Sequence, residues 1–156
     1  MEGFEIIEVN IEDQEVVNEI IKLEERTFGE CGGVDYWVLK ALIRYGKVYA
    51  LRNKNIIISV VEYMQKFNSS EVFLYGISTE EKFRKKGLTK YLIQETEKKL
   101  KILGIKKIVL TVDPKNEVAI NLYKKLNYKI INLQLNEYGE GVDRYFMEKN
   151  LTPNEY

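Results

Sequence analysis

Histidine is missing from this 156-residue chain, and cysteine occurs once, at Cys31. Without an imidazole the commonest general base and the commonest metal ligand are both gone. A serine or cysteine hydrolase that relies on a histidine to activate its nucleophile is excluded. Zinc needs clusters of Cys, His and carboxylate that the sequence does not offer, so no metal is expected. A single cysteine forms no intramolecular disulfide, and with no imidazole to activate it Cys31 reads as a partly buried bystander. Net charge is also missing, since 24 Lys and Arg balance 24 Asp and Glu. Nucleic acid is therefore not expected as a partner, because that needs a cationic footprint. No apolar run approaches about 18 residues, so no membrane span is expected. The opening Met1-Glu2-Gly3-Phe4-Glu5 has no basic region of a secretory signal, which makes the cytoplasm the expected compartment. Proline is confined to Pro114 and Pro153, and no repeat or low-complexity linker interrupts the chain.

What is present reads as one soluble domain over residues 1–156, with a hydrophobic share of 45% and a charged share of 31%, both ordinary for a globular protein. Alternation predicts a strand over 4–9, and helical spacing of Val16, Val17, Ile20, Ile21, Leu23 and Phe28 predicts a helix over 13–28. The glycine-rich 29–33 breaks it. A second helix is expected over 34–45, its apolar stripe formed by Trp37, Val38, Ala41, Leu42 and Tyr45, with Gly46 as its stop. A hairpin over 48–52 and 56–66 turns at Asn53-Lys54-Asn55. A strand over 72–78, a helix over 88–103, and a continuous apolar strand over 105–112 follow. A short helix over 116–126 and strands over 128–137 and 142–150 complete the chain. The order β-α-α-β-β-β-α-β-α-β-β predicts an α/β (α+β) architecture with a mixed sheet flanked by helices.

Chemistry concentrates in two stretches. Arg84-Lys85-Lys86-Gly87-Leu88-Thr89 delivers the chain from a strand into a helix N-terminus. First-turn amides have no intrahelical acceptor and carry partial positive charge, so a phosphate fits there. Gly87 allows close backbone approach. An exposed basic turn is the plain alternative. About thirty residues later come Asn116, Ala119, Tyr123 and Leu126-Asn127-Tyr128. Asn116 reads as an N-cap, and Tyr123 falls on the apolar stripe of its helix, where a core aromatic is the plain reading.

Together the two stretches resemble the GCN5-related N-acetyltransferases (GNAT family). The family's pyrophosphate loop, Arg/Gln-x-x-Gly-x-Gly/Ala, is matched by residues 84–89 except at Thr89. The second signature is matched by residues 116–128, with Asn127 where Gly is usual. The element order is also the one expected of that fold, a mostly antiparallel central sheet with flanking helices. The resemblance implies an N-acetyltransferase that moves the acetyl group of acetyl-CoA onto a primary amine by direct attack on the thioester. It implies that Arg84, Lys85, Lys86, Gly87, Leu88 and Thr89 hold the CoA phosphates, that the main chain of Ile77, Ser78 and Thr79 pairs with the pantetheine arm and polarises the thioester, and that Asn116 also contacts CoA. Tyr123 would then protonate the departing thiol. Thr89 departs from the pattern, its branched β-carbon crowding the diphosphate or its hydroxyl donating to it. That departure invites the rival reading, a non-catalytic acyl-CoA-binding or regulatory module of the same fold. A plain nucleotide-binding protein would leave the second signature unexplained.

The acceptor that the resemblance implies is a small-molecule or peptide amine, and the ending Gly141-Val142-Asp143-Arg144-Tyr145-Phe146-Met147-Glu148-Lys149 faintly resembles protein N-terminal acetyltransferases of the family, a hint of a protein N-terminus. Glu30, Asp35, Glu137, Glu140 and Asp143 are candidates to attract it, Tyr138 to line its cleft, and each is equally a solvated residue. Glu62 and Glu71 are candidate proton acceptors and also read as strand-face or edge charges. A homodimer through the final strands is left open.

Overall fold

Three helices begin where a side chain can take a first-turn amide. Asp13 accepts from Val16 N ahead of α1 (Gln14–Phe28), Asp35 from Val38 N ahead of α2 (Tyr36–Tyr45), and Asn116 from Ala119 N ahead of α4 (Glu117–Lys125). Each satisfies a donor that the helix itself cannot. The remaining helix, α3 (Leu88–Ile102), carries no acidic residue in its first turn. The strands are β1 (Glu5–Glu8), β2 (Lys47–Asn53), β3 (Ile56–Gln65), β4 (Glu71–Thr79), β5 (Lys107–Val112), β6 (Lys129–Gln134) and β7 (Arg144–Asn150). This computed structural model describes residues 3–29 and 33–151, so Glu30 and Cys31 lie outside the described residues.

The seven strands hydrogen-bond in the order β1-β2-β3-β4-β5-β7-β6. By contact the chain forms two compact units, Met1–Met64 with Leu74–Thr96, and Gln65–Phe73 with Glu97–Tyr156. In the first, β1 pairs antiparallel with β2 and β2 with β3. One face of these strands and the apolar faces of α1 and α2 share a core that includes Val17, Ile20, Leu39, Leu42, Val48 and Val60. The α2 stripe is rotated from the expected one: Leu39 and Leu42 are buried, while Trp37 and Tyr45 are 87% and 86% exposed. A helix with apolar residues on most of its turns has no unique buried face until something packs against it. In the second unit, Glu71–Phe73 pair parallel with β5, while β5–β7 and β6–β7 are antiparallel. This is the mixed, mostly antiparallel arrangement that the element order predicts. Strand β6 is exposed throughout and shorter than expected. Asn127, standing where glycine is usual, has φ 69°. Asparagine is among the few non-glycine residues that accept this conformation readily, so the helix stop survives the exchange.

Candidate functional site

The basic loop enters α3 through two left-handed residues, Lys85 at φ 59° and Gly87 at φ 75°. Helical bonding starts with Tyr91 N–H donating to Gly87 O, which leaves the amides of residues 88–90 without intrahelical acceptors. A β-carbon at Gly87 would meet nothing within 4 Å, so the backbone there is open to a ligand. Arg84 Nε donates to Thr79 O at 3.0 Å, tying the loop to the end of β4. Lys82 and Lys86 lie over the Phe83 ring, each 5.4 Å from its centroid. Thr89 turns its hydroxyl to that of Thr79, 2.8 Å away. The arrangement is an electropositive helix entrance suited to a small polyanion.

The end of β4 is held by side chains. Ser59 Oγ donates to Ser78 O at 2.8 Å and lies 2.7 Å from Thr79 Oγ1. Ser78 Oγ donates to Glu24 Oε1 at 2.5 Å, and Val34 N–H donates to Glu24 Oε2 at 3.2 Å. Glu24 is 2% exposed and Glu62, in the middle of β3, is fully buried. Sequence reading makes Glu62 a candidate proton acceptor or a strand-face or edge charge; the fold buries it completely. Neither of its carboxylate oxygens has a hydrogen-bond partner among the described residues. Burial, and then the charge of Glu24, push the Glu62 carboxyl well above its ordinary value of 4.5. Burial also raises Glu24, opposed by its bonds from Ser78 and Val34.

These directions fix a sign. As pH rises past 4.5, the unfolded chain gives up protons that the native state retains at Glu24 and Glu62. Stability from this source is full in acid and falls as pH increases. Urea unfolding between pH 5 and 8 should show a declining contribution in the wild-type protein. Glu62→Gln should flatten that decline, and an unchanged slope would mean that Glu62 titrates normally.

In the second unit Asn116 caps α4, its Oδ1 accepting from Ala119 N at 3.1 Å. Tyr123 is 6% exposed and its ring stands 5.7 Å from that of Tyr128. Burial pushes its phenol up to about 12, so it stays protonated throughout the neutral range. Glu71 sits between Lys107 at 2.8 Å and Lys66 at 3.9 Å, an ion-paired carboxylate. Of the acceptor-side candidates, Asp35 serves as the α2 cap and Asp143 accepts from Asn136 N at 2.9 Å, bracing the last hairpin. Tyr138 hydroxyl lies 2.9 Å from Thr111 Oγ1, and the Arg144 guanidinium sits 5.3 Å from its ring centroid. Glu137 and Glu140 are exposed. The structure thus places residues 77–79 and 84–89 in one unit, with direct contacts among them, and Asn116 and Tyr123 in the other. Sequence reading missed the Ser59, Thr79 and Thr89 hydroxyl chain and the role of Glu24, because no spacing rule pairs residues so far apart. Among the described residues no group of three or more Cys, Asp and Glu is placed to share a metal ion, and no helix is long and apolar enough to cross a membrane.

Comparison with known proteins adds a family. The family model described as acetyltransferase (GNAT) family matches residues 17–128. The chain is 34% identical over 65 residues to an uncharacterized N-acetyltransferase, YdgE, of Bacillus subtilis, covering 42% of this chain and 41% of that protein. It is 35% identical over 73 residues to an N-alpha-acetyltransferase of Sulfurisphaera tokodaii, covering 46% and 44%. These matches span less than half the length of the curated relatives. Among solved structures, the ribosomal-protein-S18-alanine N-acetyltransferase of Escherichia coli superposes with a TM-score of 0.81 at 18% identity, covering 98% of this chain and 99% of that one.

Proposed function

The chain belongs to the acetyltransferase (GNAT) family, and from that premise we propose that it is an acetyl-CoA-dependent N-acetyltransferase whose acceptor is a protein or peptide N-terminus. The observation that carries the donor half is the entrance to α3, with its open backbone at Gly87, left-handed Lys85 and first turn free of acidic residues. That geometry fits the diphosphate of CoA, with residues 84–89 holding it and the main chain of Ile77, Ser78 and Thr79 beside the thioester. Asn116 adds to the grip on CoA besides capping α4. The likeness to N-alpha-acetyltransferases supports the acceptor half. Attack of the amine nitrogen on the thioester carbon breaks the C–S bond. A backbone amide near Thr79 stabilises the oxyanion, and the Tyr123 phenol offers its proton to the departing sulfur. The turn of the Thr89 hydroxyl toward Thr79 supports a loop that accepts the diphosphate despite its threonine.

The test is thiol release from acetyl-CoA with peptides bearing free N-termini, set against polyamines, amino sugars and free amino acids, the products read by mass spectrometry. We expect release with free N-terminal peptides and none with their acetylated counterparts. Release confined to another amine class would overturn the acceptor assignment, and tight CoA binding without release from any amine would favour the non-catalytic rival.

The loop makes its own prediction. A β-carbon at position 87 would meet no protein atom within 4 Å, while φ 75° strains any side chain there, so a folded Gly87→Val protein tests the loop through its backbone as well as through the space left for the ligand. Acetyl-CoA affinity should fall by about tenfold or more, because the β-branched group stands where the diphosphate must approach. Calorimetric titration checks it, with circular dichroism confirming the fold. Wild-type affinity in that variant would remove the diphosphate from this loop.

A further inference from the structure

We infer that Glu62 is the group that takes the proton of the acceptor amine, with Glu24 as its positioning partner. The inference rests on the acetyl-transfer reading above.

The starting point is a carboxyl set against desolvation and a like charge, with only its own backbone acting the other way. Both Glu62 oxygens are buried and unpartnered among the described residues. The one charge resolved as acting on it, Glu24 of α1, is of the same sign. Its register partner on β2 is Val48, and across β4 it faces Gly76; neither carries charge. A methionine or leucine would fill this space at far less cost in desolvation, so packing does not account for the glutamate.

The surroundings are shaped to admit it. A β-carbon at Gly76 would lie 2.8 Å from Glu62 Oε2, so the carboxyl occupies the space that any other residue at 76 would claim. Gly76 and Ser78, two apart on one strand, face the same side of the sheet, about 7 Å from each other. Glu62 therefore lies over one of these positions while Glu24 is bonded to the other. Both carboxyls flank the segment that the acetyl-transfer reading sets beside the thioester, and because both are buried the proton reaches Glu62 through a water admitted with the amine.

The chemistry suits a primary amine that arrives as an ammonium ion. Two buried carboxyls at close quarters resist double ionisation and hold a proton at rest. A cation entering beside them relieves that repulsion, and the resting proton leaves to solvent. The ammonium then gives one proton to the Glu62 carboxylate, and the freed lone pair forms the N–C bond at the thioester carbon. As the C–S bond breaks, the thiolate takes up one proton and the nitrogen loses its second. Glu62 keeps the proton it took, which restores the resting pair. The products are an amide, a free thiol and one released proton.

The experiment compares wild type, Glu62→Gln and Glu62→Met in amine-dependent thiol release from about pH 6.5 to 10, using a peptide N-terminus and a strongly basic alkylamine. Acetyl-CoA binding and thermal melting are measured on each protein. Both variants should bind acetyl-CoA as wild type does and melt no lower. With the basic amine at neutral pH kcat/KM should fall by about 100-fold. The deficit should shrink to less than about tenfold at the alkaline end, where the amine sheds its proton in water without help. The weakly basic peptide N-terminus should suffer less than the alkylamine. Wild-type turnover in both variants, or a deficit that is the same at every pH, overturns the assignment. So does loss of fold in both, which would make the carboxyl structural. If wild type binds acetyl-CoA but acetylates no amine, the acetyl-transfer reading itself fails, and this inference with it.

Discussion

Tyr123→Phe should lower kcat by about 10²–10⁴-fold, nearer the lower bound, while leaving acetyl-CoA binding almost unchanged. The substitution keeps the ring and its 5.7 Å contact with Tyr128, so packing changes little and the hydroxyl alone is tested. The lower bound follows from burial. A phenol pushed up to about 12 is always loaded with its proton, yet it gives that proton to a thiolate of pKa about 8.5 less readily than an exposed tyrosine would. On the acid assignment proposed above, its contribution is closer to a strong hydrogen bond to the departing sulfur than to a completed early transfer. One consequence is that no alkaline fall in rate should come from Tyr123 anywhere in the range where the enzyme is assayed. If the residue is only a core aromatic, kcat should stay within about twofold, and stability should shift by about 1 kcal/mol, the worth of one ordinary hydrogen bond. Steady-state kinetics and a thermal melt on the same protein separate the two outcomes, since one places the effect in turnover and the other in folding.

Gly46→Ala should be the most damaging single-methyl addition in the described part of the chain. The added carbon would lie 2.2 Å from Tyr63 O and 2.9 Å from Leu42 O. Both are backbone atoms, one on β3 and one at the end of α2, so no side-chain rotation relieves the clash. Lys47 pairs with Tyr63 in the β2–β3 register, and parting these strands would expose the core face that carries Val48 and Val60. We expect a loss of about 3 kcal/mol or more, at the severe end for overpacking. That corresponds to a fall in Tm of roughly 6–12 °C for a chain of this size, and to poor soluble yield. A Gly46→Ala protein melting within about 2 °C of wild type would mean that α2 does not turn into β2 as described. The sequence marks Gly46 as the stop of α2, and it is the C-cap, its N–H donating to Leu42 O, with φ −118°. The glycine is required for space, not for handedness.

The contrast between what was legible and what was not follows from the range of the interactions. Asn116 could be read as a cap because a cap involves a side chain and an amide three residues away. The Gly87 turn into α3 was legible for the same reason. The exposure of Trp37 and Tyr45 was not, because α2 has apolar residues on several faces and its partners in α1 and β2 decide which face is covered. Asp35 and Asp143, readable as acceptor-attracting charges, turn out to brace a helix and a hairpin. Glu71, readable as a free base, is held in ion pairs by lysines that a single strand does not reveal.

By itself the sequence determined the order and kind of the elements, the basic loop that opens a helix at Gly87, and the absence of an imidazole from the chain. Each of these depends on periodicity, local capping or residue identity. Only the tertiary structure decided that Glu62 is buried with no hydrogen-bond partner among the described residues, that Gly76 makes room for it, and that Glu24, Ser59, Ser78, Thr79 and Thr89 brace one strand end. These facts depend on which atoms approach across strands and helices distant in sequence. Desolvation and like-charge repulsion arise only when the fold brings such groups together and shuts water out.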